Sequence, residues 1–499
     1  MLPPVGPRSL LSREAKPLQQ VPFVWDACRN GLRTGVMQQL ATSATAEKSG
    51  SPPDLRLLRQ RLRGDLVLPN HPGYEEARKV WNGMVDKHPA MIAYCAGPDD
   101  VTEVVNFVRT QGLPVAVRSG GHNVAGCSVC DGGVVVDLSR MKGITIDRER
   151  RTARAEAGLS LGEFDTATQA FGLATTMGVN SDTGIAGLTL GGGFGRLGRK
   201  YGLACDNVIA ADVVTADGRL LRASATENAD LFWGLRGGGG NFGIVTAFEY
   251  RLHPVGPTVL GGAVVFDYDH AHYALRFYYE FSQQAPDELS ADAALVTLPS
   301  GVRGLSISVC YSGPFDDGER VLRPLRAYGT PLEDRIGPIS YLQAQSAGDS
   351  VFPRGQRYYW KAQFLRDLPD AAIEAMLSAY MTAPSAQALV VLQQVGGAIA
   401  RVPSADTAYV NRDAAYDCFP ISIWQNPAED AANIEWARDF WTAMRPFSTG
   451  GVYVNNLGEE GEDRVRAAYG DNYHRLAALK RKYDPNNIFR LNQNVRPAI

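Results

Sequence analysis

The stretch Arg118-Ser-Gly-Gly-His-Asn123 decides how this chain is read, because its one histidine sits where a glycine-rich loop can press backbone against a bound anion. Upstream, Leu113-Pro-Val-Ala-Val-Arg118 is a short apolar, β-branched run of the kind that forms a buried strand. Gly120 and Gly121 end it. Lacking Cβ, they can take positive φ and let successive N–H groups converge on a pyrophosphate. Downstream, Gly132-Gly-Val-Val-Val-Asp-Leu138 predicts a turn and a second buried strand, which puts His122 near the tip of a strand-to-strand crossing. No helix and no Lys-Ser/Thr follows the glycines, so the loop is not a nucleotide P-loop. On these residues alone His122 is either an ordinary turn histidine or a ligand-contacting one.

A chain of 499 residues is longer than one hydrophobic core supports, and two lobes are expected. The net charge of −3, with no block of like charge, gives no field to attract nucleic acid or anionic lipid. No apolar run approaches the roughly 18 residues of a membrane span, and the N-terminus lacks a basic-then-apolar secretion pattern. A cytoplasmic protein without membrane or nucleic-acid partners is the expectation. Seven cysteines, spread from Cys28 to Cys418, suggest reduced core residues rather than a disulfide framework. Cys127-Ser-Val-Cys130 has CxxC spacing but no second pair, so no metal is expected there. Residues 1–52 mix Pro, Ser, Thr and Ala without amphipathic period and are expected to be a flexible extension; an organelle-targeting segment or a misassigned start codon fits the same composition.

Along the chain, helical spacing marks 55–62 and 74–81, a strand follows at Met91–Cys95, and Pro98–Val108 predicts a helix stopped by Gly112. Arg154–Ala157 reads as a strand and Leu161–Phe171 as a helix. Gly178–Gly193 then holds six glycines in sixteen residues, too many for a packed element, and is expected to be a loop moulded to a ligand's face. Gly193-Phe-Gly-Arg-Leu-Gly198 matches the dinucleotide fingerprint GxGxxG, with Asp217 downstream, and supports an alternative reading as an NAD(P)-dependent reductase. Against it, no clean strand leads in, and Gly202 interrupts the helix that should follow. Val208–Thr215 and Leu220–Ala223 flank an Asp217-Gly218 hairpin turn, Glu227–Leu235 predicts a short helix, and Arg236–Gly243 is a third glycine-rich loop entering a strand at Ile244–Tyr250. Three such loops suit an extended ligand with separate pyrophosphate, ring and nucleoside parts.

In this order, RSGGHN, GGVVVDLSRM, SDTGIAGLTLGGGFG and LRGGGGNFGIVT resemble the FAD-binding domain of the vanillyl-alcohol-oxidase/para-cresol-methylhydroxylase superfamily. The likeness is closest to berberine-bridge-enzyme-like oxidases of bacterial secondary metabolism and covers roughly residues 53–499. It implies an α+β fold with a para-cresol-methylhydroxylase-type FAD-binding domain at 53–257, an antiparallel-sheet substrate domain covered by helices at 258–447, and a return to the FAD domain at 448–499. It also implies FAD joined through its 8α-methyl carbon to His122. Relatives with a second, cysteinyl link carry it in a GxC motif; this chain has Gly178-Val-Asn180, so a single link is expected. The cofactor contacts carried over fall on Arg118, Ser119, Gly120, Gly121, Asn123, Cys127 and Ser128 in the first loop. In the second they fall on Gly178, Asn180, Thr183, Gly184, Gly187, Leu188, Gly191, Gly192 and Gly193. Gly243, Val245, Asn455, Asn492 and Asn494 complete them. Thr183 and Leu188 align with positions that face the flavin ring and control oxygen access.

Beyond Pro254, the runs 259–266, 291–298, 305–311 and 389–401 are strand-like, with helices at 370–380 and 428–444, the latter stopped by Pro446. Tyr358, Tyr359, Trp360, Tyr416 and Trp424 are expected mainly in the core, though a flat substrate would draw on them. The resemblance implies that Gly450–Asn455 is a Tyr-x-Asn strand and that, with Tyr483–Asn494, it completes the FAD domain. The implied reaction is an oxidase's: hydride from an alcohol or activated C–H of a small secondary-metabolite intermediate passes to flavin N5, and O2 re-oxidises the flavin to give peroxide. Tyr453 is the candidate base, its phenol lowered by a neighbouring cation or by hydrogen bonds. Oxygenase-type chemistry is a variant of this reading; a flavin carrier that has lost activity stands beside the reductase as an alternative of a different class, and a homodimer is allowed.

Overall fold

Val134–Asp137 is buried at all its positions and lies between two parallel neighbours, Met91–Tyr94 and Val115–Arg118, the pattern of an inner strand covered on both faces. In this computed structural model, which describes residues 53–499, Asp65–Val67 adds an antiparallel edge to make a four-stranded sheet. The readings on 1–52, Cys28 included, lie outside the described residues. Met91–Tyr94 connects to Val115–Arg118 through the helix Pro98–Gln111. Its proline and Asp99 and Asp100 suit an N-terminus, and Gly112 at φ 66° closes it. Val101, Val104, Val105 and Val108 form its buried stripe. The next crossing, 119–133, uses no helix.

A second sheet is wholly antiparallel, in the order Ile144–Asp147, Thr152–Glu156, Ile244–Arg251, Val208–Val214, Leu220–Ser224. The hairpin between its last two strands turns at Asp217-Gly218, with Gly218 at φ 82°. The third sheet has nine strands. Its main path runs Glu333–Asp334, Thr258–Asp267, Arg303–Tyr311, Leu289–Thr297, Leu389–Gln394, Tyr416–Trp424, Arg357–Trp360. Helices Ala271–Gln283, Asp370–Met381 and Asp430–Met444 cover one face, where Ala291, Ala293, Val390, Leu392 and Cys418 share their core. Strand alternation sends Asp292, Val391, Gln393 and Phe419 to the other face. The fold is thus α+β, with helices on one side of this antiparallel sheet.

The C-terminal helix Tyr473–Tyr483 and residues Val452, Val454, Phe489 and Val495 share one core with the first two sheets. A fully buried ion pair pins this segment: Lys480 Nζ lies 2.8 Å from Asp484 Oδ2 and donates to Asn241 O (2.7 Å) and Phe489 O (2.8 Å). Asp484 in turn accepts from the Ile488 and Phe489 N–H groups. With both charges satisfied, removing either would leave a buried orphan at about 3–5 kcal/mol.

Several elements differ from the sequence reading. Gly178–Gly193 contains the helix Ile185–Leu190, because Ile185, Ala186, Thr189 and Leu190 supply a buried stripe between the glycines. Gly450–Asn455 is not a strand; Tyr453 leads into a short 3-10 turn, Val454–Asn456. The 74–81 helix stops at Ala77, and 389–401 divides into a strand and a four-residue helix after Gly396 and Gly397, at φ 89° and 58°. The aromatic stretches at Arg357–Trp360 and Tyr416–Trp424 are strands. At Gly193–Gly198 the preceding element is the helix Ile185–Leu190 and the following one only Gly198–Tyr201, so the fingerprint does not form a strand–loop–helix dinucleotide unit.

Candidate active site

Arg118 ends its strand with its guanidinium buried against Asp137 and donating to Ala77 O (2.6 Å) and Lys79 O (3.3 Å). It fixes the root of the first glycine loop. Ser119 Oγ donates to Ala157 O at 2.6 Å. Gly120 then passes so close to the second loop that a Cβ would sit 2.2 Å from Gly184 N, and Gly121 takes φ 70°. Both positions require glycine, for different reasons.

These turns deliver His122 onto Trp81, whose ring is stacked 4.2 Å from the imidazole and tilted 20°. Nε2 of His122 lies 3.0 Å from Asp182 Oδ1, but too poorly aligned for a hydrogen bond, and has no other partner among the described residues. Arg354 holds the other oxygen of Asp182 at 2.8 Å and donates to Gly120 O at 2.7 Å. Burial pushes the Asp182 carboxyl up, but His122 and Arg354 outweigh it and leave it below the usual carboxylate range.

The glycine-rich loops converge on a cavity of about 440 Å³. Ser119, Gly120, Gly121, His122 and Asn123 line it, with Cys127 and Ser128 beside them. The second loop contributes Gly178, Asn180, Thr183, Gly184, Gly187 and Leu188. Gly243 and Val245 come from the third loop and its strand, and Tyr453, Asn455 and Asn492 from the C-terminal segment. Arg118, Gly191, Gly192, Gly193 and Asn494 do not line it. The three glycines stand behind the Tyr453–Asn455 turn, where a Cβ on Gly191 would lie 2.1 Å from Asn455 Oδ1.

Tyr453 is buried, and its Oη accepts from Gly193 N at 2.9 Å and from Asn455 Nδ2 at 2.8 Å. Asn455 also donates to Leu188 O at 3.1 Å, so it ties the turn to the second loop. Burial drives the Tyr453 phenol above its ordinary value even though both N–H donors pull it down. The expected lowering is therefore not found in the protein alone. Among the described residues no Lys or Arg lines the cavity to provide it. The thiols of Cys127 and Cys130 are free and pushed up to about 11 by burial, which suits packing rather than reactivity.

The sequence reading missed the opposite wall and the backing of His122. Trp81 precedes the loop by some forty residues and looked like an ordinary helical aromatic. Asp182 and Arg354 meet only through the fold. Asp292, Trp360, Val391, Gln393, Phe419 and Ile421 line the cavity from the nine-stranded sheet. A lone Asp within the alternating Ala291–Leu298 run was the one available signal for this wall.

The chain matches the family model described as an FAD binding domain over residues 89–224, and the one described as berberine and berberine like over 452–496. It is 34% identical over 430 residues to an FAD-linked oxidoreductase of Dictyostelium discoideum, covering 85% of this chain and 92% of that one. It is 31% identical over 452 residues to (R)-6-hydroxynicotine oxidase of Paenarthrobacter nicotinovorans, covering 87% and 97%. The solved structure of Physcomitrella patens BBE-like 1 superposes with a TM-score of 0.82 at 25% identity, covering 89% of this chain and 99% of that one.

Proposed function

This chain belongs to the FAD-linked oxidoreductases, in the berberine-bridge-like branch of the vanillyl-alcohol-oxidase/para-cresol-methylhydroxylase superfamily, and from that premise we propose that it is an oxidase carrying FAD on His122 through a single covalent bond. Its substrate is a small organic molecule oxidised at an alcohol or activated C–H, with O2 as the final acceptor. The observation that carries this reading is the convergence of His122, three glycine-rich loops and the Tyr453–Asn455 turn on one cavity.

The residues present fit the cofactor. Ser128 Oγ and Asn492 Oδ1 are buried polar atoms of cavity-lining residues that have no protein partner among the described residues. Such atoms are costly unless a ligand satisfies them. Glycine backbone at Gly120, Gly121, Gly184 and Gly240 leaves room for a ring system and offers N–H groups suited to a pyrophosphate. Asn180 occupies the place of a second, cysteinyl attachment, which supports the single link.

When bound, FAD supplies a two-electron acceptor that dioxygen can renew. The chain's own residues do the rest. Trp81 holds the imidazole plane, and Asp182 sits at its Nε2 edge. Tyr453, once ionised to a phenolate that the Gly193 and Asn455 N–H groups stabilise, takes the proton of the substrate hydroxyl at Oη and becomes the neutral phenol. The apolar residues of the nine-stranded sheet exclude water from the reacting centre.

Denaturing electrophoresis of the purified yellow protein tests the reading. Flavin fluorescence should travel with the polypeptide and disappear in His122→Ala. Proteolytic fragments should show the His122 peptide heavier by one FAD. An unmodified peptide from flavin-replete protein would overturn the covalent assignment, and absence of peroxide release across alcohols, amines and sugars would overturn the oxidase.

A further inference from the structure

The cavity wall opposite the glycine-rich loops holds one charged group. Asp292 lies in Leu289–Thr297 between Ala291 and Ala293, which belong to the helix-covered core, so alternation turns its carboxyl to the cavity face. Its neighbours on that wall are Trp360, Val391, Phe419 and Ile421, with Gln393 as the neutral polar group. Among the described residues it is the one acidic side chain lining the cavity, and no lysine or arginine lining it offsets the charge.

Only half of the carboxylate is satisfied. Oδ1 accepts from Gln394 N at 2.8 Å, while no protein donor among the described residues reaches Oδ2. Burial raises this carboxyl above its ordinary value, and the fields of Arg196 and Arg199 pull it only part of the way back; the Arg199 guanidinium donates to the carbonyls of Leu289, Val395 and Ala285, and Arg196 gives its Nε–H to Ala344 O. A carboxylate in an apolar wall is expensive to keep unless something donates to it. The protein gains one hydrogen bond from this residue, which an asparagine oxygen would also accept.

Resting on the reading of this cavity as a flavin oxidase site, we infer that Asp292 sets substrate class: the enzyme takes a small flat molecule bearing a protonated amine, whose N–H donates to Asp292 while its apolar body lies against Trp360 and Phe419. A half-satisfied carboxylate facing a low-dielectric cavity attracts a cation and repels a carboxylate, and the aromatic faces add cation–π attraction. A neutral hydroxyl would gain only an ordinary charge-assisted hydrogen bond. Asp292 therefore selects by charge and leaves the proton chemistry to Tyr453.

The holoenzyme can be titrated with benzylamine, benzyl alcohol and benzoate, each followed by its perturbation of the flavin absorption band. In the parent protein benzylamine should bind at least about tenfold more tightly than benzoate, and the gap should narrow as salt is raised. Asp292→Asn should weaken benzylamine by about tenfold, leave benzyl alcohol within about twofold and improve benzoate. Flavin content and melting temperature equal to the parent's establish that this variant is folded. If it is not, the parent's own preference and its salt dependence decide the matter. A yellow parent without a benzylamine preference, or an Asn variant that shifts all three probes alike, overturns the role of Asp292 and leaves the oxidase reading standing. A colourless protein removes both.

Discussion

Trp81 faces His122 with ring centroids 4.2 Å apart, and the same indole stacks on Tyr358 at 3.8 Å. Its Nε1–H is fixed to Phe352 O at 3.0 Å and its backbone N–H to Gly121 O at 3.0 Å, so the imidazole rests against an anchored surface. Asp182, 3.0 Å from Nε2, sets its negative charge at that edge of the ring and not at Nδ1. Bond formation at an imidazole needs a nitrogen lone pair held in place, so loosening either partner should lower covalent loading. Trp81→Ala is expected to retain less than half of the parent's acid-precipitable flavin and Trp81→Phe most of it. Asp182→Asn should slow attachment without abolishing it. The ratio of flavin in precipitate and supernatant after acid treatment is the measurement. Full loading in Trp81→Ala would show that stacking plays no part. A large aromatic truncation also costs about 3–5 kcal/mol, so the comparison is made on soluble, monodisperse protein.

Tyr453→Phe removes the acceptor of two N–H groups and the proposed proton acceptor together. Turnover should fall by about 10²-fold or more while flavin stays attached, since His122 is untouched. The phenol lies above its ordinary value, so the ionisation that activates it belongs to the alkaline side of neutrality. The parent's kcat/KM should rise with pH there, and the Phe variant should lack that limb. A variant with the parent's rate and pH profile would remove Tyr453 from the mechanism.

The first lobe was legible because its signals are local. β-branched runs, an acidic helix start closed by Gly112, and an Asp-Gly turn each specify their own element, and the three glycine loops advertise a ligand through missing side chains. The wall formed by the nine-stranded sheet was not legible in the same way. Asp292, Val391, Gln393 and Phe419 are brought together by register between strands far apart in sequence, and alternation alone does not say which face is covered. The Tyr453–Asn455 segment, expected as a strand from the family resemblance, is a turn here, because Oη, Asn455 and the backbone of Gly193 bind it into one. The helix Ile185–Leu190 was missed because burial of its apolar stripe overrode the unfavourable glycine content.

Asp417 lies on the same strand as Phe419, with no exposed surface. Its Oδ2 accepts from Asn456 Nδ2 at 2.8 Å and its Oδ1 has no partner among the described residues. Burial pushes its carboxyl from 3.8 up to about 8, against the pull of Asn456. The folded state thus holds this proton more tightly than the unfolded chain. The resulting stability is fully present below the unfolded value near 3.8 and is lost as pH rises through about 8. Asp417→Asn imitates the protonated form and should flatten this dependence. Thermal melts at about pH 5, 7 and 9 should show a gain over the parent that grows toward the alkaline end, on the order of a few kcal/mol. A constant offset at all three values would mean that the carboxyl does not titrate in this window.

Gly120 and Gly187 both line the cavity but are glycines for different reasons, and one pair of substitutions separates them. A Cβ on Gly120 would strike the backbone of Gly184 at 2.2 Å, so Gly120→Ala should damage the loop itself and lower both stability and flavin content. Gly187 sits in the helix Ile185–Leu190, where a Cβ would meet nothing within 4 Å, so the space it would enter is the cavity. For the chain, alanine there is an improvement of roughly 0.5–1 kcal/mol, through a less costly loss of backbone freedom in a helix. For a ring system seated against that helix it is an obstruction. In a His122→Ala background, where FAD is expected to exchange freely, Gly187→Ala should raise the melting temperature of the apoprotein and weaken FAD binding by about tenfold, near 1.4 kcal/mol. Opposite signs in the two measurements would mark Gly187 as a residue kept for the ligand at the expense of the fold; a stabilised variant that binds FAD as before would move the ring away from this helix.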